Sequence, residues 1–162
     1  MPTDKTSPKI PPPPLDLRLK RFSPQLNVKQ DGNHRRVFGA IRKKWLVLQP
    51  EEFVRQLLLL FLIHDMRYNR NRLTVERGVK INSQDRRTDI LVFDAAMAPF
   101  LLIECKAPQI PLTTDTFRQA ANYNGPLRVP YLMISNGRES YVAEIDYDNQ
   151  DYRFLDRVPE WL

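Results

Sequence analysis

One stretch of the chain decides the fold: RTDILVF at Arg87–Phe93, the six residues DAAMAP, and FLLIECKAP at Phe100–Pro108. Strands are predicted at Thr88–Phe93 and Phe100–Lys106, since each apolar run has the length and composition of a buried β-strand. The residues between them are short and turn-forming, which predicts that the two strands form a hairpin.

The hairpin predicts where its charged residues point. Because side chains alternate along a strand, Glu104 and Lys106 should face one side of the sheet, and Ile103 and Cys105 the other. A carboxylate and an ammonium then emerge together at the end of an apolar strand. Asp89 begins the neighbouring strand and can supply a second carboxylate. Cys105, on the opposite side, is expected to be a small core residue.

The elements on either side of the hairpin predict a mixed β-sheet flanked by helices. The order is helix, three strands, helix, two strands, which is typical of the α/β or α+β class. The helices are predicted from Pro50 to about Arg67 and from Thr114 to about Tyr123, the second capped by Thr113 or Thr114. The three strands besides the hairpin are predicted at Leu73–Ile81, Tyr131–Ser135 and Tyr141–Tyr147, the last two around an Asn136-Gly137 turn.

The chain is expected to consist of a tail and one domain. Residues 1–36 include four consecutive prolines, Pro11–Pro14, and predict a flexible, extended N-terminal tail. A recognition segment for an aromatic groove is the alternative. Residues 37–162 are expected to form the domain, in which Val37–Leu48 could be a first strand or lie along the surface. A length of 162 residues suits one domain with a core rather than two.

Composition narrows the class of protein. A single cysteine excludes an internal disulfide framework, fits a reducing compartment and, with only two histidines, excludes cysteine-rich zinc sites. No secretory signal is visible, and the longest apolar stretch, Leu57–Ile63, is too short to span a bilayer. A cytoplasmic protein without membrane contact is expected. The formal charge of +6 favours polyanionic partners, DNA among them.

The charged residues of the hairpin suit one kind of chemistry. Two converging carboxylates, Asp89 and Glu104, can hold a hard divalent cation such as Mg²⁺, with Mn²⁺ able to substitute. A nearby lysine, Lys106, can orient or deprotonate an attacking water and stabilise a phosphorane, while the metal acts as a Lewis acid. The pattern therefore indicates phosphodiester hydrolysis.

A family resemblance extends this interpretation. The hairpin motif resembles the PD-(D/E)xK nuclease superfamily. The fuller pattern resembles the N-terminal nuclease domain of type I restriction enzyme R subunits, over about Val37–Leu155. The motifs that carry it are Pro50-Glu51-Glu52-x-Val54-Arg55-Gln56, Arg87-Thr88-Asp89, Glu104-Cys105-Lys106-Ala107-Pro108 and Gln119-x-x-x-Tyr123. The printed sequence holds no helicase or translocase region, so a motor or specificity subunit is an expected partner.

The resemblance implies a fold and a set of roles. The fold would be restriction-endonuclease-like. Asp89 and Glu104 would bind the metal, and Lys106 would be the catalytic lysine.

Two helices would complete the site. Glu51 would be the acid of the first helix, with Glu52 left open as the alternative. Gln119 and Tyr123 lie four residues apart on one helix face and would support the site or contact the DNA backbone.

Plainer interpretations stay open beside these. Asp89 could cap a turn, Glu104 and Lys106 could form a salt bridge on an edge strand, and Glu51 could serve only the helix dipole. Gln119 and Tyr123 could be ordinary helix residues, and Glu76 is expected to be a surface residue. A basic cluster could line a phosphate track or be a solvated face; its members are Arg67, Arg70, Arg72, Arg77, Arg86 and Arg87.

The leading hypothesis is Mg²⁺-dependent endonucleolytic hydrolysis of DNA in restriction, defence or repair. One alternative is a catalytically silent nuclease-fold module that binds DNA or a partner protein. Another is an interaction subunit whose charged cluster is only structural. DNA sequence and structure preference, and the oligomeric state, are left open.

Overall fold

The computed structural model describes residues 11–81 and 83–161 and shows two α-helices and two sheets in that part of the chain. The helices are α1, Pro50–His64, and α2, Thr114–Asn124. The smaller sheet contains β1, Val28–Asp31, β2, His34–Phe38, and β3, Trp45–Val47. The larger sheet contains β4, Leu73–Ile81, β5, Gln84–Phe93, β6, Pro99–Cys105, β7, Tyr131–Ser135, β8, Ser140–Asp146, and β9, Asp151–Phe154.

The larger sheet is mixed, as predicted. Its strands lie side by side in chain order from β4 to β9. All neighbours are antiparallel except β6 and β7, which are parallel. A parallel pair needs a crossover between its strands, and α2 lies in that crossover. The predicted hairpin of β5 and β6 is confirmed, and the predicted bounds of β4 and β7 coincide with the observed ones.

Each face of the sheet is covered by one helix, so the core has two parts. The leucines of α1 cluster with one set of alternating strand residues, including Ile90, Ile103 and Cys105. On the opposite face, Phe117 of α2 clusters with the other set, including Leu91 and Leu102. Such burial on both faces explains why the central strands are nearly continuous apolar runs.

Helix α1 is buried almost all round. Every residue from Val54 to Leu62 is buried, so its apolar surface is wider than a single stripe. The helix begins at Pro50 with two acidic residues in its first turn, which suits the positive end of the helix dipole. It ends at His64, three residues before the predicted end. There Arg67 adopts a left-handed conformation with φ 58°, and the Tyr68 amide donates to the carbonyl of Leu62.

The expected boundary at residue 36 does not coincide with the structure. A 3-10 helix, Leu19–Gln25, places Leu19 and Phe22 in the core beneath α1. The amide of Leu15 also donates to the carbonyl of Ser140 at 2.8 Å. The apolar residues spaced among the prolines and charges of this segment account for its packing. Strand β1 and most of β2 also precede residue 37.

Two further elements differ from the sequence-based expectation. Val37–Leu48, expected to be a first strand or a surface segment, holds the end of β2 and all of β3. The short edge strand β9 was not predicted, because its residues alternate between charged and aromatic types over only four positions. In the described ranges, no helix combines the length and hydropathy needed to cross a membrane.

Candidate active site

The register of the central hairpin sets Asp89 opposite Glu104. Ile90 pairs with Ile103 and Leu91 with Leu102, so the next position along the same register joins the two acids. Opposite residues of an antiparallel pair point to the same face. By register the two predicted metal ligands occupy opposite positions, but their partners lie on different sides of the sheet: Asp89 contacts Arg55 of α1, and Glu104 contacts Asn124 of α2.

The carboxylate of Asp89 is held at both oxygens. Oδ2 accepts a hydrogen bond from the amide of Cys105 at 2.8 Å. This bond replaces backbone pairing at the position where the β5–β6 register ends. Oδ1 accepts from Nη2 of Arg55 at 3.1 Å. The side chain is 29% exposed, so one side of the carboxylate is open to solvent. Asp89 is thus fixed against the backbone between Glu104 and Lys106.

Arg55 of α1 connects three acids. Besides Asp89, its guanidinium pairs with Glu52 and, at 3.1 Å, with Glu76 Oε1, while its own side chain is only 6% exposed. Burial acts to lower the pKa of Arg55, but the negative charges around it, Glu52 foremost, more than offset this and raise the pKa overall. The cation therefore stays charged and holds the carboxylates together.

The first-helix acid in this network is Glu52, the alternative that the sequence left open, and a catalytic role for Glu51 stays a prediction. Glu52 is buried, whereas Glu51 is exposed. Residues three and four apart share a helix face, so Glu52 meets Arg55 and also accepts from Gln56 Nε2 at 2.7 Å. Gln56 Oε1 in turn accepts from the amide of Ala40 at 3.0 Å.

Glu76 belongs to the same network, although a surface position was expected for it. The register of β4 and β5, with Val75 opposite Ile90 and Arg77 opposite Thr88, sets Glu76 opposite Asp89. Its Oε1 accepts from Arg55 and its Oε2 from Arg42 Nη1 at 2.6 Å. The backbone of Glu76 is left-handed, with φ 47°, which is uncommon for a residue with a side chain. By register, Glu76, Asp89 and Glu104 occupy neighbouring positions on three successive strands.

Lys106 is the first residue after β6. Its amide donates to the carbonyl of Ser135 at 2.8 Å, which continues the pairing with β7, and its side chain is half-buried. Among the described residues, no carboxylate, that of Glu104 included, lies within ion-pair distance of its ammonium. A simple salt bridge between Glu104 and Lys106 therefore does not account for the pair.

The predicted alternation along β6 is confirmed. Cys105 lies in the core beneath α1, while Glu104 contacts α2 on the opposite face. Burial raises the pKa of the Cys105 thiol well above its usual value, and the charge of Asp89 raises it further. The thiol is therefore neutral.

Helix α2 supplies a residue that sequence reasoning missed. Nδ2 of Asn124 donates to Glu104 Oε1 at 2.9 Å and to the carbonyl of Ala120 at 3.0 Å. Asn124 follows Phe117 by seven residues and Ala120 by four, on the buried face of the helix. Gln119 lies off this face and is exposed, and Tyr123 is 42% exposed. The signal that could have identified Asn124 is an amide at a core position of the apolar helical repeat.

The described members of the predicted basic cluster have different surroundings. Arg70 donates to the carbonyl of Ala40 at 3.0 Å, and Arg67 is exposed. Nε of Arg72 is buried without a hydrogen-bond partner. The side chains of Arg77, Arg86 and Arg87 lie outside the described part of the structure.

The residues present fit a hard divalent cation in their chemistry. Asp89 and Glu104 offer carboxylate oxygens from opposite positions of one hairpin, the donor type that Mg²⁺ prefers. Over 11–81 and 83–161, no group of three or more His, Cys, Asp or Glu is arranged to hold a metal. Asp89 and Glu104 alone would give a metal only two protein ligands, and the Arg55 guanidinium already pairs with one oxygen of Asp89.

Comparisons with known proteins identify the family of the chain. The family model for the type I restriction enzyme R protein N terminus matches residues 50–159, and the chain belongs to that family. No curated protein matches it. A solved fragment of a putative HsdR subunit of a type I restriction enzyme from Vibrio vulnificus YJ016 is similar over 54% of this chain, with 22% identity and a TM-score of 0.38. This chain covers 19% of that one.

Proposed function

We propose that the chain forms the active site of a metal-dependent deoxyribonuclease of the restriction type, hydrolysing DNA phosphodiester bonds with Mg²⁺ or Mn²⁺. The observation that carries the proposal is the position of the acids: by register Asp89 lies opposite Glu104, with Lys106 two residues further and not paired to either. Burying a charge is costly unless it is paired, and the half-buried Lys106 has no carboxylate within ion-pair distance among the described residues. Membership of the restriction R protein family supports the choice of DNA as the substrate class.

Each residue has a role that follows from its surroundings. Asp89 and Glu104 would hold the metal, which when bound supplies Lewis acidity and acidifies a bound water. The Cys105 amide fixes the position of Asp89, and Asn124 fixes that of Glu104. Lys106 then provides an ammonium that can hold the attacking water or the negative charge that develops on the phosphate.

The wider setting follows from the family. We propose that the domain acts in the cytoplasm as part of a restriction system, together with a motor or specificity subunit. The single, neutral cysteine fits a reducing compartment. The roles of Gln119 and Tyr123 are proposed to be contacts with the DNA backbone, since both are on the exposed side of α2.

One observation favours a second candidate, a silent module that binds DNA or a partner protein. Both oxygens of Asp89 are already engaged, one of them by a buried cation. If the Arg55 guanidinium stays bound to Asp89, no metal ion can bind there. The chain would then bind DNA or a partner protein without cutting.

The variant Lys106→Ala separates the two candidates. It removes the ammonium but leaves both carboxylates, so DNA binding should persist while hydrolysis falls by about 10²- to 10⁴-fold, the usual contribution of a positioned proton-transfer group. Nicking of supercoiled plasmid with Mg²⁺ or Mn²⁺, and a chelator control, measures the loss. Lys20→Ala removes an exposed lysine away from the hairpin and is the matched control.

Equal cleavage by wild type and Lys106→Ala would indicate a contaminating nuclease. A wild-type chain that binds DNA but is inert on duplex, single-stranded and branched substrates would favour the silent module.

A further inference from the structure

The positive charge of the chain is concentrated in the segment that forms the smaller sheet. Residues 28–47 contain six lysine and arginine residues against one aspartate, so they carry +5 of the formal +6. This segment lies before residue 50, where the match to the restriction family begins. The family relationship therefore assigns no role to it.

The smaller sheet has a core face and an outer face. Val28 pairs with Val37 and Val37 with Leu46, and Val37 is fully buried. By alternation, Lys29 and Arg36, which pair with each other, belong to the outer face.

Aromatic rings share that outer face. Phe38 pairs with Trp45, and their rings meet edge to face at 5.4 Å. The Lys29 ammonium lies 4.2 Å from the centre of the Trp45 ring. Cations among flat aromatic rings are typical of surfaces that contact nucleic acid.

Several of these cations have no acidic neighbour. Arg35, Lys43 and Lys44 are exposed, and no carboxylate among the described residues lies within ion-pair distance of them. Arg36 pairs with Asp31, the one acid of the segment. Concentrated charge that the chain itself leaves uncompensated attracts a polyanion.

The basic segment is anchored to the candidate active site. The turn between β2 and β3 is closed by a 2.9 Å hydrogen bond from the Gly39 amide to the Lys44 carbonyl. From this turn, Arg42 reaches Glu76, which pairs with Arg55, which pairs with Asp89. Three consecutive ion pairs thus join the basic turn to Asp89.

We infer that the sheet β1–β3 and the turn carrying Arg42, Lys43 and Lys44 form the surface that binds the DNA phosphate backbone beside the active site. This inference rests on the proposed function for its choice of partner. Contacts of this kind position a duplex without reading its sequence.

The test measures binding of the full chain to a fluorescently labelled linear duplex, in chelator so that no cleavage occurs, over a range of KCl concentrations. The variant is Lys29→Ala/Lys43→Ala/Lys44→Ala, which removes one cation of the outer face and two of the turn. Arg128→Ala/Arg153→Ala/Arg157→Ala removes the same charge from exposed positions near β7 and β9, away from the basic turn, and is the matched control. Circular dichroism and thermal unfolding show that both variants are folded.

Each lost phosphate contact should lower the salt dependence of log K by about 1, so the basic-sheet triple should lower it by about 3 and bind more weakly. The control should bind nearly as wild type does. In the unmutated chain, DNA should slow acylation of Lys29, Lys43 and Lys44 relative to Lys20.

Wild-type affinity in the basic-sheet triple, or an equal loss in the control, overturns the inference. The proposed catalysis is tested separately, by the cleavage assay. Loss of binding in the triple with a wild-type chain that never cuts supports the surface and refutes the enzyme. Unchanged DNA binding in the basic-sheet triple, with cleavage that depends on Lys106, supports the enzyme and refutes the proposed binding surface.

Discussion

At the scale of single residues, Asn124 determines the orientation of the Glu104 carboxylate. Its amide is shared between the Glu104 carboxylate and the helix carbonyl of Ala120, so the carboxylate cannot rotate freely. A partner that orients a metal ligand contributes to metal affinity without touching the metal.

Asn124→Ala should therefore weaken Mn²⁺ binding by about 10- to 100-fold, as measured by isothermal titration calorimetry. Gln119→Ala, on the exposed side of the same helix, is the control and should bind Mn²⁺ as wild type does. If Gln119→Ala weakened Mn²⁺ binding and Asn124→Ala did not, Gln119 rather than Asn124 would support the metal site.

Arg55 is the residue whose loss should destabilise the fold most. Its removal leaves Glu52 as a buried charge without its cation, and breaking a buried pair costs about 3–5 kcal/mol. Arg55→Met should lower the free energy of unfolding in urea by this amount. The double variant Glu52→Gln/Arg55→Met should recover much of the loss, because no buried charge is left over.

Arg42→Ala is the comparison for that experiment. It breaks a partly exposed pair with Glu76, so a change of about 0–1 kcal/mol is expected. A similar cost for Arg42 and Arg55 would mean that burial does not set the strength of this network.

The sequence predicted some of these residues and missed others for a physical reason. Strand alternation and hairpin pairing depend on positions close in the chain, and they predicted the strand register that sets Asp89 opposite Glu104. Glu52 and Asn124 depend on the rotation of a helix relative to the sheet, which local sequence does not determine. The role of Arg55 could not be predicted, because it depends on ion-pair partners that are distant in the chain.

At the scale of elements, long periodic segments were predictable and short ones were not. The hairpin, β4, β7 and α2 have apolar patterns that tertiary packing reinforces. The small sheet β1–β3 is short, highly charged and preceded by prolines, so its composition favoured a tail. Its backbone pairing and the burial of Val37 stabilise it nonetheless.

The turn between β7 and β8 makes a testable contact with α1. Gly137 has φ +88°, and a Cβ there would lie 3.2 Å from Cγ2 of the buried Val54. Gly137→Ala should cost about 1–2 kcal/mol, from left-handed strain together with the close approach.

Gly125→Ala is the matched substitution at the end of α2. Gly125 has a helical φ of −49°, and apart from its chain neighbours and its own helix no atom lies within 4 Å of its Cβ position, so only the clash with the following Pro126 opposes the change and its cost should be smaller than at Gly137. Urea unfolding measures both variants. Equal effects would show that backbone conformation at Gly137 does not hold the turn against α1.

At the scale of the whole molecule, the site lies where the elements meet. Helix α1 brings Glu52 and Arg55 from one side of the sheet, and α2 brings Asn124 from the other. The segment from Leu15 to Phe22, expected to be part of a tail, closes the core beneath α1. Stability and site geometry are therefore coupled, since loosening either layer moves a residue that holds a carboxylate.

Cys105 provides a probe of that coupling, because it is the only cysteine and lies between Glu104 and Lys106 in sequence. Cys105 is 2% exposed and packs in the α1 core, and burial raises the pKa of its thiol well above the usual value, so the reactive thiolate is disfavoured. In the native chain, DTNB should therefore react at pH 8 only as fast as the core opens. In denaturant it should react at once and release one equivalent.

Variants that weaken the α1 layer should speed this reaction in proportion to their loss of stability. Arg55→Met should label faster than Arg42→Ala, and Gly137→Ala faster than Gly125→Ala, because labelling tracks the population of the open state when opening and closing are fast. Rapid labelling of the native wild-type chain would contradict the burial of Cys105. Labelling rates that do not follow the order of the stability losses would show that DTNB reaches the thiol through a local opening of β6. The candidate site would then move independently of the core.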